Sequence, residues 1–152
     1  MSELDGAYPV RLPVWWGRRG VAGPHPELDG VSGRFIVIRH HKKFGRFEGL
    51  IARLMRAPKE LRRPLDDMNS LLWELCDGTR SYGEICEILD STFHERIAPV
   101  GERTEAALTR FNQLGLIGLS KDPYSGEWER GPGHDPSGEL APPDEKLGLD
   151  WD

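Results

Sequence analysis

The side chains able to do chemistry in this 152-residue chain are few and scattered. His40 and His41 are adjacent, and in an extended segment neighbouring side chains point to opposite faces, so the pair cannot easily chelate one ion. Cys76 and Cys86 form neither a disulfide framework nor a Cys-x-x-Cys metal site. Each falls on an apolar helical pattern, where a thiol packs as a small hydrophobe. His94 and Glu95 end a helical pattern, where a cationic imidazole favours the helix C-terminus; they read as a cap. The carboxylates of the second half are dispersed, and no two are paired for acid–base work. No nucleophile stands beside a base and no glycine-rich phosphate cradle occurs. These residues predict no enzyme, no metal and no cofactor, and the chemistry left to the chain is recognition.

Charge gives recognition a direction. Residues 34–63 carry ten Lys/Arg against two Asp/Glu, whereas residues 64–152 carry seven against nineteen; the whole chain balances to −5. A basic third thus sits between a near-neutral start and an acidic end, which either steers an acidic partner or is self-complementary within the fold. The first residues, "MSELDGAYPVRL", lack a basic stretch followed by an apolar one, so no signal peptide is expected. No apolar run approaches the roughly 20 residues that span a bilayer. A reduced, cytoplasmic setting is the default.

The elements that must position any site follow from periodicity. Residues 1–33 are rich in Gly and Pro, with one β-like run, "YPVRLPVWW", in which Pro9 and Pro13 allow an edge strand at best. "GRFIVIRHH" alternates as a strand, with Phe35, Val37 and Arg39 on one face and Ile36 and Ile38 on the other. "ELRRPLD" is a short strand that Pro64 assigns to an edge. Between these strands, Phe44, Phe47, Leu50, Ile51, Leu54 and Met55 recur at helical spacing. Lys42, Lys43, Arg46, Arg53 and Arg56 rim them, so residues 42–58 read either as a helix packed on its own domain or as a contact with an anionic membrane.

Three helices come next. Asp66 or Asp67 caps the first, whose stripe is Met68, Leu71, Leu72, Leu75 and Cys76; Trp73 lies off the stripe, and Gly78 stands where a left-handed cap is needed. Ser81 and Glu84 open the second as a capping box, followed by Tyr82, Ile85, Cys86, Leu89 and Phe93. The third spans about Val100 to Leu114, with Thr104, Ala107, Leu108, Phe111 and Leu114 inward and Gly115 as the stop. "LIGLS" reads as a short strand or extended segment. From Lys121 the remaining 32 residues hold five Gly, five Pro and nine Asp/Glu. So little apolar surface predicts a disordered acidic tail whose removal costs little stability. Leu147, Leu149 and Trp151, set among acids, read either as a solvated end or as a docking motif for a basic surface, this domain's own or a partner's. The fold class expected is α+β, a small antiparallel sheet followed by three helices in the order of a winged helix-turn-helix.

The stretch "LDDMNSLLWELCDGTRSYGEICEIL" goes further. With Leu65, Asn69, Trp73, the Asp77–Gly78 turn, Ser81 and Glu84–Ile85 in place, it resembles the coenzyme PQQ synthesis protein D (PqqD) family, and the likeness continues through "LGLIGL". It covers residues 34–119. The basic insert at 42–58 and the tail from 120 to 152 depart from the family pattern.

The resemblance implies a winged helix-turn-helix that recognises the leader of a ribosomally made precursor peptide and presents it to a modifying enzyme, often a radical SAM protein. The leader adds as a strand to the sheet edge, which the resemblance puts at Leu61, Arg62, Arg63, Pro64 and Leu65. The third helix forms the opposite wall through Arg103, Ala106, Ala107, Arg110 and Gln113, with Ala107 either in the groove or in the core. A DNA-binding regulator is the competing reading of such a fold. Its recognition helix would be Ser81–Phe93, which holds Glu84, Glu87 and Asp90 and no basic residue, so nucleic acid is not an expected partner.

Overall fold

In a computed structural model the described residues are 4–21, 27–41, 60–136, 140 and 148–149. The basic insert at 42–58 and most of the segment after 136 lie outside them. The expected α+β architecture is present, as small antiparallel sheets and three helices.

The N-terminal run predicted as one strand is two: β1 (Tyr8–Arg11) and β2 (Trp15–Arg19). The break falls at Leu12–Val14, where Pro13 can donate no ladder hydrogen bond. β2 pairs antiparallel with β3 (Phe35–His41), which pairs antiparallel with β4 (Glu60–Pro64), so β2 and β4 are the outer strands of a three-stranded sheet. β1 instead pairs with the late strand β5 (Ile117–Ser120) and bridges to Asp77 through Val10.

α1 (Asp67–Leu75) starts as its sequence dictates, with the Asp66 carboxylate accepting from the Asn69 N–H at 2.8 Å. α2 (Tyr82–Phe93) has the complete Ser81/Glu84 capping box. His94 then adopts φ +52°, a value usual for glycine, and turns the chain into a 3₁₀ turn, His94–Ile97. α3 (Val100–Gln113) ends before Gly115, which has φ +73°. Gly78 is left-handed too, at φ +83°, but α1 has already closed on Cys76. The glycine serves a crossing instead: its N–H reaches Pro9 O, its carbonyl accepts from Tyr124 N, and an added Cβ would clash with the Tyr124 side chain.

The core lies between the sheet and the helices. Ile36 and Ile38 supply its sheet side, and Leu72, Leu75, Ile85, Leu89 and Leu108 its helical side, all buried. Trp73 is the hinge of this packing: its ring meets Trp16 edge-on at 6.1 Å and Phe111 at 5.8 Å. α1 is buried well beyond one stripe, because Ser70 through Leu75 are all covered. Two buried polar contacts explain how its second face is closed. The Glu74 carboxylate accepts from Arg18 Nε, Ser32 N and Gly33 N at 2.9, 2.9 and 3.1 Å. The Arg11 guanidinium donates to the carbonyls of Trp73 and Glu74 at 2.8 and 2.9 Å, neutralising the helix C-terminus.

The acidic segment is not structureless from Lys121 onward. Residues 121–136 run back over β1 and β2 as a strap. The Trp128 indole donates to Arg11 O at 2.8 Å, Arg130 O accepts from Arg11 Nε and from the Trp16 indole at 3.1 Å each, and Gly133 N donates to Trp16 O. Tyr124 and Trp128 stack edge-on at 5.0 Å, and Arg130 covers the Tyr124 ring. Composition averaged over 32 residues hides these two aromatics and the backbone donors that hold them.

Candidate functional site

Edge geometry comes from register. The β3–β4 ladder sets Val37 opposite Pro64, Ile38 opposite Arg63 and Arg39 opposite Arg62. Leu65 N donates to Ile36 O at 2.9 Å, continuing the same register by one residue. In an antiparallel ladder hydrogen-bonded pairs alternate with non-bonded ones. The peptide groups of Arg63 and the N–H of Leu65 are therefore directed at β3, with the Ser70 hydroxyl bridging Leu65 O and Ile36 N, while the peptide groups of Pro64 and Arg62 point to the outer side. Pro64 is tolerated because its nitrogen faces away from β3, where no ladder bond is lost. Among the described residues no strand pairs with this outer side.

The alternation also sorts side chains. Arg63 and Leu65 share a sheet face with the buried Ile38 and Ile36, the face that meets the helices. Arg62 and Pro64 share the opposite face with Arg39, which is itself buried and stacked over the Trp15 ring at 4.5 Å. The basic third is thus partly internal, since Arg39 is itself buried.

Between β4 and α3 lies an open groove of about 590 Å³. Seven of the ten residues expected at a peptide site line it: Arg62, Arg63, Pro64 and Leu65 from the strand side, and Ala106, Ala107 and Arg110 from the helix. Phe111, Leu114 and Leu116 make its floor, with Asn69 of α1 at one end. Ala106 is exposed and Ala107 half-buried, so the alanines leave the wall low, and the Arg110 side chain is exposed above them.

Three expected residues stand differently. Arg103 lies along the neighbouring pocket of about 120 Å³ between α1, α2 and α3, where its guanidinium donates to Arg96 O. Gln113 is exposed and lines neither cavity, because the helix turns it past the groove and Leu114 takes that place. Leu61 belongs to β4, opposite His40, with its side chain outside the description. Asn69, Phe111, Leu114 and Leu116 were not foreseen. Asn69 was legible only as a motif position, Phe111 and Leu114 as core, and Leu116 as part of an extended segment.

The remaining titratable groups suit structure. Burial pushes the Cys76 thiol up to about 12, despite the Arg11 cation beside it. Burial also raises Cys86, against the hydroxyls of Tyr82 and Thr104. Thiols so protected are poor nucleophiles. Burial lowers Arg11 to about 10, leaving it cationic at neutral pH. Among the described residues no His/Cys/Asp/Glu group could hold a metal ion, and no helix is long and apolar enough to cross a membrane. The chain matches no protein-family model, no curated protein and no solved structure.

Proposed function

We propose that this chain is a non-catalytic peptide-recognition domain of the PqqD type. It would bind the leader of a ribosomally made precursor peptide by strand addition and present it to a modifying enzyme, of the radical SAM class on that resemblance. The observation that supports this reading is the pairing of an outer strand with a groove: β4 turns the peptide groups of Arg62 and the carbonyl of Pro64 outward, beside an apolar channel walled by α3. An extended peptide gains affinity from main-chain hydrogen bonds and specificity from alternate side chains. Here the side chains on the helix-facing side would meet Leu65, Ala107 and Leu114, and those on the other side would run past Arg62. Arginines at the rim favour a leader with acidic residues.

The DNA-binding alternative gains no such support. The exposed face of α2 presents Glu84, Glu87 and Asp90, which repel phosphate. The test is affinity for the leader of a precursor peptide encoded beside this chain. Arg63→Glu and Arg110→Glu should each weaken binding about tenfold, the scale of a lost charge-assisted contact. Salt-sensitive binding of duplex DNA with no leader affinity would overturn the proposal.

A further inference from the structure

We infer that the outer edge of β2 is a self-complementary pairing surface, fitted to a second copy of this chain, and that the strap 121–136 holds it closed. β3 directs the peptide groups of Ile36 and Ile38 toward β4, so those of Phe35, Val37 and Arg39 turn to Arg19, Gly17 and Trp15 of β2. The peptide groups of Trp16 and Arg18 therefore point away from the sheet. Among the described residues no strand pairs with that side. The strap reaches it instead, where Gly133 N donates to Trp16 O at 2.8 Å.

The sequence of this edge is its own complement. In an antiparallel pair of two β2 strands centred on Gly17, "WWGRR" sets Trp15 against Arg19 and Trp16 against Arg18 of the second copy. Trp16 and Arg18 would exchange their outward N–H and C=O groups, and symmetry repeats the exchange on the other side of Gly17. No arginine faces an arginine, and each guanidinium meets an indole. Both rings already make that contact within the chain: Arg11 and Arg18 lie 4.9 Å from the Trp16 centroid, and Arg39 4.5 Å from that of Trp15. Gly17, opposite itself, puts no side chain where the two backbones come closest.

The strap has the build of a guard. Tyr124 N, the Trp128 indole and Gly133 N donate to Gly78 O, Arg11 O and Trp16 O, while Arg130 O accepts from Arg11 Nε and Trp16 Nε1. These bonds run from the end of β1 along the open side of β2, anchored by the Tyr124–Trp128 stack. Covering an edge with a loop prevents strand-to-strand association. Being tethered, the strap acts at an effective concentration near 1 mM, about a thousandfold above a micromolar second copy. Self-pairing therefore waits on release of the strap. The inference does not depend on a leader peptide.

The test compares the full chain with Tyr124→Ala/Trp128→Ala, which removes the anchor. A second variant, Gly133→Pro, keeps the anchor but can neither donate to Trp16 O nor adopt φ +76°. In sedimentation velocity both should associate at least about tenfold more tightly than the unsubstituted chain and stop at the dimer. The Trp16 and Arg18 amides should gain hydrogen-exchange protection as the variant concentration rises. Adding Arg19→Glu to Gly133→Pro should weaken the dimer about fivefold or more, because Trp15 of the second copy loses its guanidinium. Equal association of all chains, or a Gly133→Pro chain that stays monomeric near 1 mM, would overturn the inference. So would protection confined to residues 60–64 of β4, or growth beyond the dimer, which marks β2 joining β4 of another copy head to tail.

Discussion

Glu74→Ala removes a buried carboxylate that accepts hydrogen bonds from three residues. Its carboxylate is buried within α1 and accepts from the Arg18 guanidinium, from Ser32 N and Oγ, and from Gly33 N, all between 2.9 and 3.1 Å. Hydrogen bonds to a charged group are each worth about 1.5–3 kcal/mol net, and removing one member of a buried pair costs about 3–5 kcal/mol. Two features reduce the sum. The Arg18 side chain keeps 20% of its exposure and can regain water. Loss of the carboxylate also ends its own desolvation penalty. The expected cost is therefore about 3 kcal/mol, or roughly 6–12 °C in Tm for a chain of this length. Glu74→Gln keeps the shape but turns an amide donor toward other donors, and should lose about half to two-thirds as much. Urea unfolding at neutral pH measures both, and native-state hydrogen exchange should show Ser32 and Gly33 losing protection first. A cost below about 1 kcal/mol for the alanine variant would refute the claim that this cluster holds the 29–34 loop on α1.

Other perturbations have expected outcomes of known sign. Ser81→Ala should cost on the order of 1 kcal/mol through the lost cap, and Leu72→Ala roughly 2–5 kcal/mol through a core cavity; thermal melts in the reverse order would refute the helix packing. Trp128→Ala should destabilise by about 1–3 kcal/mol, because it removes the stack on Tyr124 and the bond to Arg11 O, and an unchanged melt would return the strap to a solvated tail. Cys76 holds its proton more tightly folded than unfolded, so its contribution is complete below about pH 9 and is lost as pH rises toward 12. At pH 10 the loss is on the order of 1 kcal/mol. Cys76→Ala should flatten that slope relative to the unsubstituted chain, with Arg11 common to both; equal slopes would contradict the burial of this thiol.

The helices were legible because their signals are local. Ser81 and Glu84, Asp66, Gly115 and the apolar stripes each act within one or two turns, and each element forms where they place it. β4 was legible as an edge from Pro64 alone. What escaped is long-range. β1 finds its partner in β5, more than a hundred residues later, and no local pattern in "YPVR" encodes "IGLS". Arg11 and Glu74 look like surface charges until a second element arrives to bury them. Glu74 left one clue, a lone carboxylate inside the apolar run "LLWELC". The strap was hidden by averaging, since two aromatics anchor what composition describes as acidic and flexible. The groove was half legible: its strand and helix walls came from the family resemblance, but of its floor Phe111 and Leu114 read as core and Leu116 as part of an extended segment.

The central claim is that β4 accepts a peptide strand beside α3. Chemical-shift mapping and hydrogen exchange on the full chain, with the leader of a neighbouring precursor, test it most directly. Shifts should concentrate on residues 61–65 of β4 and on Ala106, Ala107, Arg110 and Leu114. The Arg63 amide, already directed at β3, should change little on binding. Perturbations confined to residues 81–93 on α2 would contradict strand addition at this edge.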